Sequence, residues 1–334
     1  MEKISVIIPC RNEEKYIANC LNSIIKNDYP KDFIEVFVVD GLSNDSTRDI
    51  VEGFSKKYSF IFLLINENKT APYAMNLGIE KSTGEYIIRL DAHGEIPNNY
   101  FSTLIEWGKK LNADNTGAVW ITDVINKTPK SLSIVKVLSN KFGVGNSLFR
   151  IGIDSIKEVD TVPFGCYKKS VFRKIGLYNE RLERNQDIEL NKRLKKNGGH
   201  IFLLPHLFST YYARESFSGI AKNNFQTGFW NMLTVYYTKT FSSLSLRHFI
   251  PLMFCLSIIV PLILMIWYLP AGLISAAILL IYFTVLLSTG IRIKETSTPL
   301  HLVLCAFIVL HFSYGFGSAL GLFRIDILFG KTYR

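Results

Sequence analysis

Apolar positions change their period along the chain, and the changes mark the elements. Ile4-Ser5-Val6-Ile7-Ile8 is a β-branched run ended by Pro9, and residues 13–27 then carry Ile17, Leu21, Ile24 and Ile25 at helical spacing. Phe33 to Val39 repeats the strand pattern and ends at Asp40-Gly41. Ser43-Asn44-Asp45-Ser46 offers an N-cap for a helix over 47–57. Phe60 to Ile65, a helix over 72–82 and Tyr86 to Leu90 continue the alternation as far as Asp91. Strands alternating with helices imply a mostly parallel sheet covered on both faces. Ligands of such sheets bind beyond the carboxyl ends of the strands. The polar residues gather there: Arg11-Asn12-Glu13, Asp40 and Asp91-Ala92-His93.

The last quarter of the chain has no such alternation. Residues 249–269, 271–290 and 300–323 are three apolar runs without Asp, Glu, Lys or Arg. Each is close to the about 20 residues that cross a hydrocarbon core. The pattern predicts a membrane anchor over 249–334. Leu269-Pro270-Ala271 joins two runs without charge, as a non-cytoplasmic turn would, and places Arg292 and Lys294 in the cytosol. A third full span would leave Arg324, Lys331 and Arg334 outside, against that rule. The Ser313-Tyr314-Gly315-Phe316-Gly317 patch offers a re-entrant alternative, and both remain open. No basic region followed by an apolar stretch opens the chain, so no cleaved signal peptide is expected.

Composition adds the charge. The 334 residues carry a formal +10, and residues 1–248 keep 33 basic against 26 acidic side chains. Apolar content of 48% excludes a disordered chain. No RNP motif, zinc finger or helix-turn-helix accompanies the basic charge, so nucleic acid is set aside as a partner. Between 216 and 248, Lys222, Lys239 and Arg247 interleave with seven aromatic residues and no acid. That composition suggests a helix in the lipid headgroup layer, or an ordinary amphipathic helix packed on the domain. Five scattered cysteines give neither zinc spacing nor a disulfide framework.

Several segments are candidates for chemistry. Asp91 and His93, spaced i, i+2 after a strand, can reach one divalent ion, Mg2+ or Mn2+, with diphosphate oxygens completing its shell. The bland reading is a capped turn with a solvated His. Asp40 is either an acceptor for a nucleobase or ribose, or the N-cap of the next helix. Glu13 is either a site residue or a first-turn carboxylate favoured by the helix dipole. Asp187 opens a helical segment, where a carboxylate serves as general base or as a mere cap, with Glu189 pointing elsewhere. The absence of Gly-x-x-x-x-Gly-Lys, Gly-x-Ser-x-Gly and Gly-x-Gly-x-x-Gly sets aside P-loop, serine-hydrolase and dinucleotide-binding chemistry. Segments 122–165 and 205–225 read as loops, with 139–165 as a mobile acceptor-side piece.

In this order and spacing, Ser5 to Glu13, Val38 to Thr47, Asn76-Leu77-Gly78, Arg89 to His93 and Asp187 to Leu190 resemble family 2 glycosyltransferases. The likeness covers roughly residues 3–235 and is greatest to the membrane-anchored, succinoglycan-biosynthesis type. It implies an α/β GT-A fold over 1–215, an interfacial segment over 216–248 and C-terminal transmembrane helices. It also implies a nucleotide-sugar donor, taken from the family to be a UDP-sugar, and a lipid-linked or polysaccharide acceptor. Inverting transfer at the cytoplasmic face of the cell membrane follows from the same likeness. Residue by residue, Pro9, Arg11, Glu13, Asp40, Asn76 and Arg89 would line the nucleotide and substrate site, with Asp91 and His93 on the metal and Asp187 as base. Gln226 to Trp230 is similar to the Gln-x-x-Arg-Trp motif of processive synthases, with Gln226 and Trp230 on substrate. Phe229 stands where that motif has Arg, which argues against processivity. His93 replaces the second Asp of Asp-x-Asp, and Gln186 stands where Glu commonly precedes the base. Transfer to polyprenyl phosphate and an inactive sugar-nucleotide binder stay open as alternatives.

Overall fold

The computed structural model describes residues 1–324, and the chain forms two compact units. The first comprises residues 1–121 and 152–212, and the second residues 122–151 and 213 onward.

The first unit is built on strands β1 (Ile4–Cys10), β2 (Ile34–Asp40), β3 (Ile61–Ile65) and β4 (Tyr86–Arg89). Helices α1 (Ile17–Ile25), α2 (Thr47–Lys57) and α3 (Ala71–Lys81) connect them. β1 pairs parallel with β2 and β4, and β2 with β3, as right-handed βαβ connections require. Then come β5 (Gly94–Glu95), α4 (Tyr100–Lys110) and β6 (Asn115–Asp123). After the excursion into the second unit, β7 (Lys157–Glu158), β8 (Cys166–Lys168), α8 (Lys169–Ile175), α9 (Gln186–Lys196) and β9 (Ile201–Tyr212) complete it. The sheet runs β3-β2-β1-β4-β8-β6-β9-β5, with β7 on β9. β8 joins antiparallel to β4, so the sheet is parallel in its first half, and the pairs described beyond it are antiparallel. β1 and β2 are buried almost throughout, which is why they read as unbroken apolar runs rather than alternating ones. Val6, Ile8, Val36 and Val38, at every second position of these strands, share one core with Ile17, Leu21 and Ile24 of α1.

Two expected loops are ordered elements. Residues 129–151 form α5 (Pro129–Leu138), α6 (Lys141–Val144) and α7 (Leu148–Ile151) of the second unit, and 205–212 extend β9. Thr128 starts α5 with a reciprocal capping box to Ser131 and a Pro at the first position, a start signal the sequence carried. Asp45, not Ser46, satisfies the start of α2: its Oδ1 accepts from Thr47 N at 3.0 Å and Thr47 Oγ1 at 2.5 Å.

The second unit adds α10 (Phe217–Thr238), α11 (Ile250–Leu264), α12 (Ala271–Ile293) and α13 (Leu300–Leu322). The 249–269 run gives only a 15-residue helix, then turns over 265–269. Pro270 explains the break, because the residue before a proline is disfavoured in the helical region. α12 and α13 are each long and apolar enough to cross a membrane. α13 runs unbroken through the Ser313–Gly317 patch. Those small residues instead receive α10: a Cβ on Gly317 would lie 2.0 Å from Phe225 O, and one on Gly321 2.8 Å from Phe229 O. Gly317 and Gly321 are thus a small-xxx-small contact between helix backbones. Residues 216–248 contain α10, which packs along α13, and two 3-10 turns. Leu273, Ile274, Leu280 and Ile281 of α12 remain exposed, as lipid-facing positions do. Lys331 and Arg334 lie outside the described residues.

Candidate active site

The loops after β1 and β2 are stitched to each other. Asn12 takes φ 57°, and its N–H donates to Ser43 Oγ at 2.9 Å while its Oδ1 accepts from Asn44 N at 3.0 Å. Glu13 N donates to Thr47 Oγ1 at 2.8 Å, and Ser46 N to Glu14 Oε2 at 3.1 Å. Pro9 is half-buried and Arg11 exposed at the mouth of this double loop. Asp40 is enclosed completely. Its Oδ2 accepts from Ser43 N at 3.0 Å and its Oδ1 from Ser43 Oγ. In this conformation it holds the turn and shows no carboxylate surface to a base. Both carboxylate oxygens of Asp40 are thus used by the turn.

The strand end of β4 carries the densest charge. Arg89 Nε donates to Asp91 Oδ1 at 2.9 Å, with the two side chains 13% and 20% exposed. A tight turn, closed by Gly94 N donating to Asp91 O at 2.9 Å, brings Asp91 and His93 to one side. Gly94 is required there, because a Cβ would lie 2.7 Å from the Phe164 ring. His93 Nδ1 meets Glu13 Oε1 at 3.3 Å, so the β1 loop and the β4 turn converge. The His93 ring is edge-on to Tyr211 and Tyr16, and Tyr211 stacks on Trp120 at 4.4 Å. Burial opposes the charge on Asp91, but the Arg89 and His93 charges outweigh it and hold the carboxyl below its usual range. Burial likewise opposes the charge of Arg89, and Asp91 and then Asp187 overcome it, so its affinity for the proton is raised.

The charge of Asp187, on another element, also acts on Arg89. Asp187 is in the first turn of α9, which begins after Asn185 at φ 61°. Asn191, one turn on and fully buried, fixes the helix. Its Oδ1 accepts from Tyr167 OH at 2.9 Å and Asn115 Nδ2 at 3.1 Å, and its Nδ2 donates to Thr161 Oγ1 at 2.9 Å. Glu189 is engaged by Arg193, whose guanidinium also donates to Leu177 O at 2.8 Å. Burial pushes the Tyr178 phenol up to about 12, with Arg89 opposing and Asp187 adding to the rise, so a neutral hydroxyl lies near Asp187. Gln186 is buried, and its Oε1 has no partner among the described residues.

Asn76 is bonded within the protein. Its Nδ2 donates to Tyr178 O at 3.0 Å and Glu180 Oε1 at 2.9 Å, and its Oδ1 accepts from Tyr178 N at 2.9 Å. With both ends of the amide occupied, Asn76 anchors the segment that leads to α9. Gln226 and Trp230 lie on α10 of the second unit, where Trp230 stacks on Tyr237. Glu13, Arg89, Asp91, His93 and Asp187 are the sequence-predicted residues that the first unit gathers. Tyr16, Trp120, Tyr178, Asn191 and Tyr211 were not singled out from the sequence. Of these, only Tyr211, near the end of β9, and Asn191, one helical turn from Asp187, carry a signal of position.

Asp91 and His93 fit a divalent cation in donor chemistry. Asp91 is an ionised, partly accessible carboxylate whose Oδ2 has no bond among the described residues. His93 is oriented through Nδ1, as ligating histidines are oriented by a carboxylate. Among the described residues no three His, Cys, Asp or Glu side chains converge on one metal position. A cation here would draw its remaining ligands from substrate or water.

The model of glycosyl transferase family 2 matches residues 5–176, which spans this sheet and its strand-end loops. The chain belongs to glycosyltransferase family 2. It is 30% identical over 328 residues to the dolichyl N-acetyl-alpha-D-glucosaminyl phosphate 3-beta-D-2,3-diacetamido-2,3-dideoxy-beta-D-glucuronosyltransferase of Methanococcus voltae, covering 96% of this chain and 98% of that one. It is 26% identical over 211 residues to the succinoglycan biosynthesis protein ExoA of Rhizobium meliloti, covering 63% of each. The mannosyltransferase PcManGT of Pyrobaculum calidifontis, solved with GDP-Man and Mn2+, superposes with a TM-score of 0.58 at 15% identity, over 94% of this chain and 87% of that one. This family 2 transferase therefore has the GT-A fold, with apolar helices appended at its C-terminal end.

Proposed function

We propose that this transferase moves a sugar from a nucleoside-diphosphate sugar, taken as a UDP-sugar, to a polyprenyl-linked sugar at the cytoplasmic face of the membrane. The reading rests on one observation above others. Asp91, just past a strand end, is ion-paired with Arg89, and Asp187, at a helix start on another element, is near enough for its charge to act on the same guanidinium. A donor-side and an acceptor-side acid on either side of a reacting centre is what a single displacement needs. The M. voltae relative is named for an acceptor that is a lipid-linked sugar, and near full-length similarity supports the same acceptor class here.

In this reading, Pro9, Arg11 and Glu13 line the nucleotide pocket, and Asp40 shapes it through the Gly41–Ser43 turn. Asp91 and His93 would hold a divalent cation, which would supply stabilisation of the charge that develops on the departing diphosphate. Glu13 orients His93 through Nδ1. Asp187 takes the proton of the acceptor hydroxyl as that oxygen attacks the anomeric carbon, and the configuration inverts because there is one displacement. Asn76, Asn191 and Arg193 hold α9 so that Asp187 meets the hydroxyl in the attacking direction. The partly exposed aromatic side chains around His93 present apolar faces suited to a sugar ring. Arg247, Arg292 and Lys294 flank the apolar helices and favour the cytoplasmic orientation.

The test uses detergent-solubilised full chain, a panel of UDP-, GDP-, dTDP- and CMP-sugars with Mn2+ or Mg2+, and two acceptors. Polyprenyl-phosphate-linked N-acetylglucosamine should be extended with a UDP-sugar, and polyprenyl phosphate alone should not. Product on polyprenyl phosphate alone would overturn the acceptor assignment. A thermal shift with GDP-sugars only would overturn the base.

A further inference from the structure

A cation already stands at the position where the site needs one. Arg89 is the last residue of β4, and its side chain is only 13% exposed. Its Nε is bonded to Asp91 Oδ1 at 2.9 Å, so the carboxylate that would ligate a metal is already neutralised. Its Nη1 is buried and has no acceptor among the described residues. An enclosed guanidinium with a spare donor is costly unless a ligand completes it. The protein also offers a cation few ligands of its own: Asp91 and His93, with Glu13 turned to His93.

These facts separate two ways for a divalent cation to arrive. A free ion approaching Asp91 meets the positive charge of Arg89 at close range, in a partly desolvated place where repulsion is strong. An ion carried by a nucleoside diphosphate arrives with its charge cancelled by phosphate oxygens. One such oxygen can also accept from Nη1, as arginine suits phosphate.

We propose that Arg89 guards the Asp91–His93 pair, keeping it closed to a free divalent cation and open to the cation bound by a nucleoside diphosphate, which Nη1 then helps to hold. The idea rests on the reading of Asp91 and His93 as the metal-holding pair. It makes the cation and the nucleotide enter together, and it assigns Arg89 to selection of the charged complex rather than to the proton transfer.

The measurement is Mn2+ binding to the solubilised full chain, by electron paramagnetic resonance or calorimetry, with and without UDP. The wild-type protein should take up Mn2+ weakly alone and on the order of tenfold or more tightly with UDP, given the charge cancelled. Arg89→Gln should bind Mn2+ alone on the order of tenfold more tightly than wild type, because the carboxylate loses its resident counter-charge. The gain from UDP should shrink to match. Arg89→Lys keeps the charge and should still refuse Mn2+ alone. Arg89→Gln with no tightening, or Arg89→Lys tightening as much as Gln, would overturn the guard. If Arg89→Gln does not fold, the wild-type comparison decides, since equal Mn2+ affinity with and without UDP refutes it. Asp91→Asn separates the two layers. Unchanged Mn2+ uptake in that variant sinks the metal reading itself, whereas lost uptake there with no tightening in Arg89→Gln sinks the guard alone.

Discussion

Glu35 gives the sharpest quantitative expectation of the first unit. It lies on β2 with its side chain 8% exposed and ties together the three strands that carry the site. Its carboxylate accepts from Ser5 Oγ at 2.6 Å, Thr83 N at 2.5 Å, Thr83 Oγ1 at 2.8 Å and Gly84 N at 3.3 Å, and pairs with Lys3 at 3.0 Å. Burial works against its charge, but these donors win and bring its pKa to about 2, against an ordinary 4.5. At 1.36 kcal/mol per pKa unit the difference is about 3 kcal/mol of stability. The sign follows from proton uptake. The unfolded chain protonates first, so the contribution is complete above about pH 5 and is lost as pH falls through 4.5 toward 2. Glu35→Gln cannot carry the charge and turns an NH2 group toward donors, which costs about 3–5 kcal/mol. Thermal unfolding followed by circular dichroism should show a midpoint lower by about 6–12 °C at pH 7. The gap should narrow as the buffer is taken to pH 3. A Gln variant melting within about 1 °C of wild type at pH 7, or a gap that ignores pH, would refute the role given to these donors.

Asp187→Asn should lower turnover by about 10²- to 10⁴-fold, while donor binding by calorimetry stays within about twofold; unchanged turnover would remove Asp187 as base. Asn76→Ala leaves Tyr178 N and O without their partner, so it should cost about 1–3 kcal/mol and lower kcat more than it changes donor affinity. A variant that weakened donor binding alone would return Asn76 to the nucleotide pocket. Burial raises the thiol pKa of Cys10, Cys20 and Cys166, so maleimide at pH 7.5 should leave them unmodified until the protein unfolds, as mass mapping would show. Gly317→Ala pushes α10 from α13 and should cost about 1–3 kcal/mol in detergent; an unchanged melting point would mean that the helix pair is looser than its backbone contact implies.

The alternation up to Asp91 was legible because buried parallel strands and amphipathic helices leave different periods, and observed bounds fall within a few residues of the pattern. α2 occupies 47–57 as read. The region 122–151 was less legible, since Gly143, Gly145 and Gly152 suggest a loop, while Ile134, Val137 and Leu138 form a helical face that is covered by residues of α12 and α13. β9 was hidden by Pro205 in its middle and by a face that alternates only in part. Site residues at strand ends could be named from position. The direction of a side chain could not: Asp40 and Asn76 sit in the right motifs, yet their polar atoms point inward to Ser43 and Tyr178. The aromatic wall around His93 was out of reach, since Tyr16, Trp120 and Tyr211 come from segments far apart in the chain.

The division of labour between elements bears on how the two half-sites are controlled. Donor-side residues ride on loops stitched by Asn12, Ser43 and Thr47, whose hydrogen bonds are partly exposed and cheap to rearrange. The proposed base rides on a helix pinned by Asn191, whose three partners are all buried. A buried and satisfied amide is costly to disturb, because each bond lost leaves a polar group without water. The Asp187 helix is therefore the more firmly held of the two parts, and the stitched loops are the part that rearranges at less cost. Arg89 is the only described cation in ion pair with Asp91, and it also feels Asp187. A change of charge at Asp91 is therefore felt at Arg89, the same guanidinium on which the charge of Asp187 acts.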